Sequence, residues 1–161
     1  MRKSISILCF SVLVFFCFGS LVWSDVVIHI NQGVDKPFPM AVAPFSGGQG
    51  AFVSAIIAQD LEHSGRFSLL AKNEVSRLPH QLNQFKWSKW RAHDQAVDYV
   101  LLGGVKKMAS HYQVTFQLMS QMGDEPLVAK QYNHVSMKGL RGLAHHIANQ
   151  VFQAITGVRG D

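Results

Sequence analysis

The feature that most constrains this chain lies near its end. From Lys138 to Thr156 the apolar residues Leu140, Leu143, Ala144, Ile147, Ala148, Val151, Phe152 and Ile155 recur in alternating steps of three and one. That spacing sets them on one stripe of an α-helix, and Gly157 supplies the stop. Such a stripe must be covered by another layer, because packing rather than propensity holds an amphipathic helix in place. The covering layer is written in a second period. Tyr112, Val114, Phe116 and Leu118 alternate with Gln113, Thr115 and Gln117, the pattern of a half-buried antiparallel strand. A chain that carries both periods is expected to fold as an α/β domain.

Further elements fill in this plan. Val97 to Met108 is the strongest strand signal, with Val-Leu-Leu-Gly-Gly-Val at its centre. Leu127 to Val135 reads as a third meander strand after a turn at Gly123-Asp124. Met40 to Phe45 is another strand, bounded by Pro39 and interrupted late by Pro44. The loop Ser46-Gly47-Gly48-Gln49-Gly50 opens a second helix, in which Phe52, Val53, Ile56, Ile57 and Leu61 keep the helical period and Gly65 ends it. Phe67 to Leu70 is a short buried run, Val75 to Asn83 a loop, and Phe85 to Asp94 a short helix with Trp87 and Trp90. Val26 to Ile30 is a short strand, with Val26, Ile28 and Ile30 on one side and Val27 and His29 on the other. The expected fold is α/β, a mixed sheet of about five strands packed against two main amphipathic helices, each helix needing a sheet face to cover.

The start of the chain is an address. Arg2 and Lys3 precede a nearly unbroken apolar run from Ile5 to Phe18, which Gly19-Ser20 breaks before Val22-Trp23-Ser24. This is the layout of a secretory signal peptide cleaved between Ser24 and Asp25, giving residues 1–24 as leader and 25–161 as an exported domain. A retained anchor is the alternative, since Ile5 to Trp23 approaches the roughly 20 residues of a spanning helix. No later run approaches that length, so no integral membrane segment is expected after cleavage.

Composition removes several chemistries. Both cysteines, Cys9 and Cys17, lie in the leader, which excludes disulfide frameworks, thiol catalysis and cysteine-ligated zinc in the exported part. The formal charge of +5 owes two units to Arg2 and Lys3, so the excess that remains does not call for nucleic acid. The glycine loop at 46–50 could present N–H groups to an anion, but it lacks the Lys-Ser/Thr of a P-loop and the third glycine of a dinucleotide fingerprint; it reads as structural. His145 and His146 are helix neighbours about 100° apart and cannot share a metal from one face. The other histidines show no ligand spacing, and no Gly-x-Ser-x-Gly elbow is present. Lys86-Trp87-Ser88-Lys89-Trp90-Arg91 could grip single-stranded nucleic acid, or could send its tryptophans inward and leave its cations in water; export favours the second. The expectation is a non-catalytic chain with no catalytic residue, no metal and no cofactor. The strand at Val26–Ile30 stays open between a simple first strand and a releasable one that adds to the sheet edge of a partner.

These blocks also carry a resemblance. Val27-Ile28-His29-Ile30-Asn31-Gln32-Gly33-Val34-Asp35 followed by Pro39-Met40-Ala41-Val42-Ala43-Pro44-Phe45 resembles the opening of the TolB family of the Tol-Pal system. Asp60-Leu61-Glu62-His63-Ser64-Gly65-Arg66-Phe67 agrees in order and spacing, as does Trp90 with Val97 to Gly103. So does Asn149-Gln150-Val151-Phe152 with Ile155-Thr156-Gly157-Val158-Arg159-Gly160. The resemblance covers essentially all of residues 25–161.

It implies a periplasmic α/β domain of the kind that precedes a six-bladed propeller in the family. No propeller is expected in this chain, which stops at Asp161, as a fragment or as a stand-alone relative. In the family the propeller carries most of the contact with the lipoprotein Pal, so Pal binding is expected only if a propeller is supplied. The family's extreme N-terminal segment engages the inner-membrane protein TolA. It maps onto Asp25, Val26, Val27, Ile28, His29, Ile30, Asn31, Gln32, Gly33, Val34 and Asp35 as partner-binding residues. The implied role is a non-catalytic one in outer-membrane invagination during cell division and in envelope integrity. The alternative is a membrane-anchored or ligand-binding exported protein of related fold with no part in that system.

Overall fold

The structure, a computed structural model, describes residues 36–79, 81–91 and 97–158. The leader, the strand expected at Val26–Ile30 and the end of the helix expected at Phe85–Asp94 lie outside the described residues. Five strands build one sheet: β1 (Phe38–Val42), β2 (Phe67–Leu69), β3 (Tyr99–Lys107), β4 (Tyr112–Ser120) and β5 (Pro126–Val135). Their order is β2-β1-β3-β4-β5. β1 runs parallel to both β2 and β3, and β3, β4 and β5 follow as an antiparallel meander. The helices are α1 (Gly50–His63), α2 (Lys72–Val75), α3 (Trp87–Arg91) and α4 (Gly139–Thr156). The fold is the expected mixed α/β architecture.

Each strand's composition matches its place. β3 sits in the middle, with Val100 and Leu102 buried on one face and Leu101 and Val105 on the other. A strand covered on both sides has no reason to alternate, hence its continuous apolar run. β4 and β5 bury chiefly the face that carries Val114, Phe116, Leu118 and Val128, with Met119 of β4 turned to the other. Their other face is a polar ladder, where Gln113 Nε2 and Gln131 Nε2 donate to Asn133 Oδ1 at 2.9 and 3.2 Å. The register slips between Tyr112 and Val114, and His134 stands there at φ 58, an extra residue absorbed as a bulge.

The two long helices do not take one face each. α1 and α4 lie side by side on the same face, where Val53, Ile57 and Leu61 of α1 and Leu140, Ala144, Ile147 and Val151 of α4 join Met40, Leu101 and Phe116 in one core. Width explains this. Five strands spaced about 4.8 Å apart span roughly 20 Å, which two helices at 8–10 Å cover and one would not.

The opposite face is covered by the stretch between β2 and β3. Leu70, Val75, Trp87, Trp90 and Val97 pack over Ala41, Ala43, Val100, Leu102 and Met119 as a second core. Topology requires a cover there. The chain leaves β1 for β2 through α1, then returns from β2 across β1 to β3, so its direction of travel reverses. Right-handed crossovers in opposite directions lie on opposite faces. The expected loop at Val75–Asn83 also begins in a short helix, α2, whose Val75 is fully buried.

The glycine loop locks these layers together. The Ser46 N–H donates to the Gly103 carbonyl at 3.1 Å and the Val105 N–H to the Ser46 carbonyl at 2.8 Å. Gly47, at φ 90, passes so close to β3 that a Cβ would lie 1.9 Å from the Val105 oxygen. A Cβ on Gly50 would lie 2.0 Å from the Phe45 oxygen.

Gly50→Ala should therefore destabilise the domain by roughly 1–3 kcal/mol through forced displacement, although alanine favours a helix by about 1 kcal/mol. Gly142→Ala, exposed on α4 with nothing within 4 Å of its Cβ, should stabilise it. Urea denaturation of the two variants reads the opposite signs, and equal signs would reject the close-approach explanation. A second expectation concerns the tie between the helices, where Asp60 Oδ2 and His145 Nδ1 lie 2.6 Å apart at a part-exposed site. A double-mutant cycle with Asp60→Asn and His145→Gln should give a coupling of no more than about 1 kcal/mol, smaller at high salt.

Candidate functional site

The segment singled out by sequence, Asp25 to Asp35, lies outside the described residues. What the structure describes is its mount. Lys36 and Pro37 are exposed, and Phe38 opens β1. β1 is held on both sides, by β2 and by β3. At its first residues the Phe38 N–H donates to the Arg66 carbonyl and the Asp98 N–H to the Pro39 carbonyl, both at 2.9 Å. A strand paired on two sides is among the least yielding parts of a small domain.

Aromatic rings surround that mount, Phe67 buried and Phe38, Tyr99 and Phe152 half-buried. Phe38 meets Phe67 at 6.1 Å and Tyr99 edge-on at 6.2 Å, and Phe67 meets Phe152 of α4 at 5.9 Å. Beside them an open pocket of about 460 Å³ is lined by Phe38, Asp98, Tyr99, Ser120, Gln121 and Met122. Its one hydroxyl among Ser residues, Ser120 Oγ, accepts the Met122 N–H at 3.2 Å. The lining sets the Asp98 carboxylate beside the rings of Phe38 and Tyr99 and the exposed side chain of Met122. Sequence reading missed this cluster. Phe38, Phe67 and Phe152 belong to three separate elements, which the pairing of β1 with β2 and the packing of α4 on the sheet bring together.

The other sequence candidates resolve into structure. The glycine loop is the latch described above. Trp87 and Trp90 are buried against Phe85, with centroids 5.2 and 6.1 Å away, and Trp90 Nε1 donates to the Pro79 carbonyl at 3.1 Å. Their faces are not available to stack on bases, while Lys86 and Lys89 remain exposed. His145 faces Asp60, His146 lies against Gln150 Nε2, and His111 stacks on His134 at 4.6 Å. Among the described residues no three histidines, cysteines or carboxylates come together as a metal site. No helix among them is long and apolar enough to cross a membrane.

The chain is similar to known proteins along most of its length. The family described as the TolB amino-terminal domain matches residues 26–125. The Tol-Pal system protein TolB of Actinobacillus pleuropneumoniae serotype 5b (strain L20) is 36% identical over 141 aligned residues, 85% of this chain and 32% of that protein. The protein of the same name from Haemophilus ducreyi is 30% identical over 152 residues, 92% of this chain and 35% of the relative. Among solved structures, TolB from Acinetobacter baumannii superposes with a TM-score of 0.66 at 31% identity, covering 79% of this chain and 30% of that one. The chain thus spans about a third of the length of the curated relatives it matches. Matched by the family over residues 26–125 and superposing on a solved relative over most of its length, the chain belongs to the TolB amino-terminal domain family.

Proposed function

We propose that this chain is a non-catalytic component of the Tol-Pal system, exported to the periplasm, where Asp25–Asp35 binds TolA. The observation that carries the reading is the family match, which begins at residue 26 and so takes in nearly all of that segment together with the chain from β1 to β4. The doubly paired β1 supports it, because a binding segment on a fixed mount transmits force and position to the rest of the domain. On this reading the chain supports outer-membrane invagination during division and envelope integrity. Pal enters only where a propeller is present.

The mechanism is β-addition. Val26, Ile28 and Ile30 share one side of an extended segment and supply the apolar contacts, while main-chain groups pair with an open sheet edge of TolA. Ordering about five residues costs roughly 1–2 kcal/mol each. Three buried apolar side chains at about 1.5–3 kcal/mol each offset that cost. Main-chain pairing at about 1 kcal/mol per bond supplies the surplus.

Deleting Asp25–Asp35 should abolish TolA binding in calorimetry and leave the thermal unfolding transition in place. Ile28→Ala should weaken binding by roughly thirtyfold, the equivalent of about 2 kcal/mol. His29→Ala, on the other side of the segment, should change it far less. Unchanged affinity on deletion would overturn the proposal, and equal effects at residues 28 and 29 would overturn the β-addition mechanism.

A further inference from the structure

One end of the described body collects cations. β3 finishes there at Lys106 and Lys107, β5 finishes at His134 and Val135, and α1 and α4 both begin there. Register ties the strand ends together, since Lys107 pairs with Tyr112 and Tyr112 with Val135. The β3–β4 turn is closed by the Met108 N–H donating to the His111 carbonyl at 2.8 Å, and His111 stacks on His134. In the helix layer Arg141 of α4 lies 5.4 Å over the Phe52 ring of α1. Lys106, Lys107, Lys138 and Arg141 are exposed, and among the described residues no carboxylate is paired with any of them.

The described carboxylates lie elsewhere. Asp60 and Glu62 are in the last turn of α1, Asp98 precedes β3, Asp124 and Glu125 precede β5, and Glu74 sits in α2 beside Arg77. Neither α1 nor α4 has an acidic residue in its first turn, so the positive ends of both helix dipoles add to the same pole. Among the cations stand apolar side chains left open to water: Phe52 is 40% exposed, Met108 39% and Met137 53%.

We propose that this pole docks the protein on an anionic phospholipid surface. Long cationic side chains interspersed with protruding apolar ones are the chemistry of an interfacial contact, in which the charges meet headgroups and the apolar tips enter the boundary beneath them. The exposed tips of Phe52, Met108 and Met137 among those cations favour a lipid boundary over an acidic polypeptide, which would engage the charges alone. Each Lys or Arg held near such a surface strengthens binding by roughly fivefold. Lys36 and Val158, where the described body begins and ends, lie at the opposite pole, with the start of β1 and the end of α4. The inference therefore stands apart from the TolA reading and can fail without it.

Lysine-acetylation footprinting of the full chain tests this on two kinds of vesicle, pure phosphatidylcholine and phosphatidylcholine with phosphatidylglycerol. Comparing reactivity residue by residue separates the pole from the N-terminal run, whose Arg2 and Lys3 also favour anionic vesicles. On the anionic vesicles Lys106, Lys107 and Lys138 should lose reactivity by roughly threefold or more while Lys36 and Lys72 do not, and salt should reverse the loss. The variant K106Q/K107Q/K138Q/R141Q, checked for an unchanged thermal transition, should bind anionic vesicles more weakly than the unaltered chain by roughly tenfold or more, with binding to pure phosphatidylcholine unchanged; equal binding by the two chains would overturn the proposal. Equal reactivity on both vesicles would overturn the proposal. So would equal protection by soluble polyglutamate without lipid, which would assign the pole to an acidic protein instead.

Discussion

A sheet face as wide as two helices is the constraint on which the rest of this domain depends. Met40, Leu101, Val114, Phe116 and Leu118 form an apolar floor that neither α1 nor α4 could shield alone. Their stripes therefore share that floor and also meet each other, with Asp60 and His145 marking the seam on the outside. Once both helices are spent on one face, the other face must find a cover among what remains. The stretch from Leu70 to Val97 does this with two short helices and two tryptophans instead of a third long helix. Large aromatic side chains suit the task, since each removes more apolar area from water per residue than an aliphatic one.

The elements with a sustained period were legible in the sequence. α4, β3, β4 and β5 fall where their apolar spacing puts them, and Gly65 and Gly157 end α1 and α4 at positive φ as expected of glycine stops. What sequence did not carry was the partnering of faces. A stripe says that a helix needs cover but not which side of a sheet supplies it; that follows from strand order, and strand order follows from where the chain reverses. The short elements were harder for a related reason. α2 contributes one fully buried side chain, Val75, and a single residue has no period. The bulge at His134 was equally silent, because a bulge is a mismatch between two strands and neither strand shows it alone.

The candidate site divides in the same way. The apolar alternation of Val26, Ile28 and Ile30 can be read from order along the chain. The aromatic mount of Phe38, Tyr99, Phe67 and Phe152 cannot, since its members are distant in sequence and are adjacent because β1 lies between β2 and β3 and α4 packs on that sheet. The glycine loop shows the reverse situation. Its composition admits an anion-binding loop, and the decision against that comes from space. The backbone of Gly47 and Gly50 is occupied by close contact with Val105 and Phe45, so these glycines serve packing between strand and helix.

Sidedness follows from the same sheet. β3 has nine residues, which at about 3.3 Å each separates the two poles of the body by roughly 30 Å. One pole bears the mount at Lys36–Pro37 and the aromatic rings; the other bears Lys106, Lys107, Lys138 and Arg141. At physiological salt the Debye length is about 8 Å, so the cations of one pole exert little field at the other. A contact made at the cationic pole therefore leaves the electrostatics of the mount nearly unchanged. Any coupling between the poles has to pass through the packed core, by a shift of α1 or α4 along the shared floor. The latch at Ser46–Gly50 resists such a shift, because it fixes the start of α1 to the end of β3 through backbone hydrogen bonds that no side-chain rearrangement can release. The physical consequence is a body that holds two separate surfaces at a fixed distance rather than one that relays a change between them.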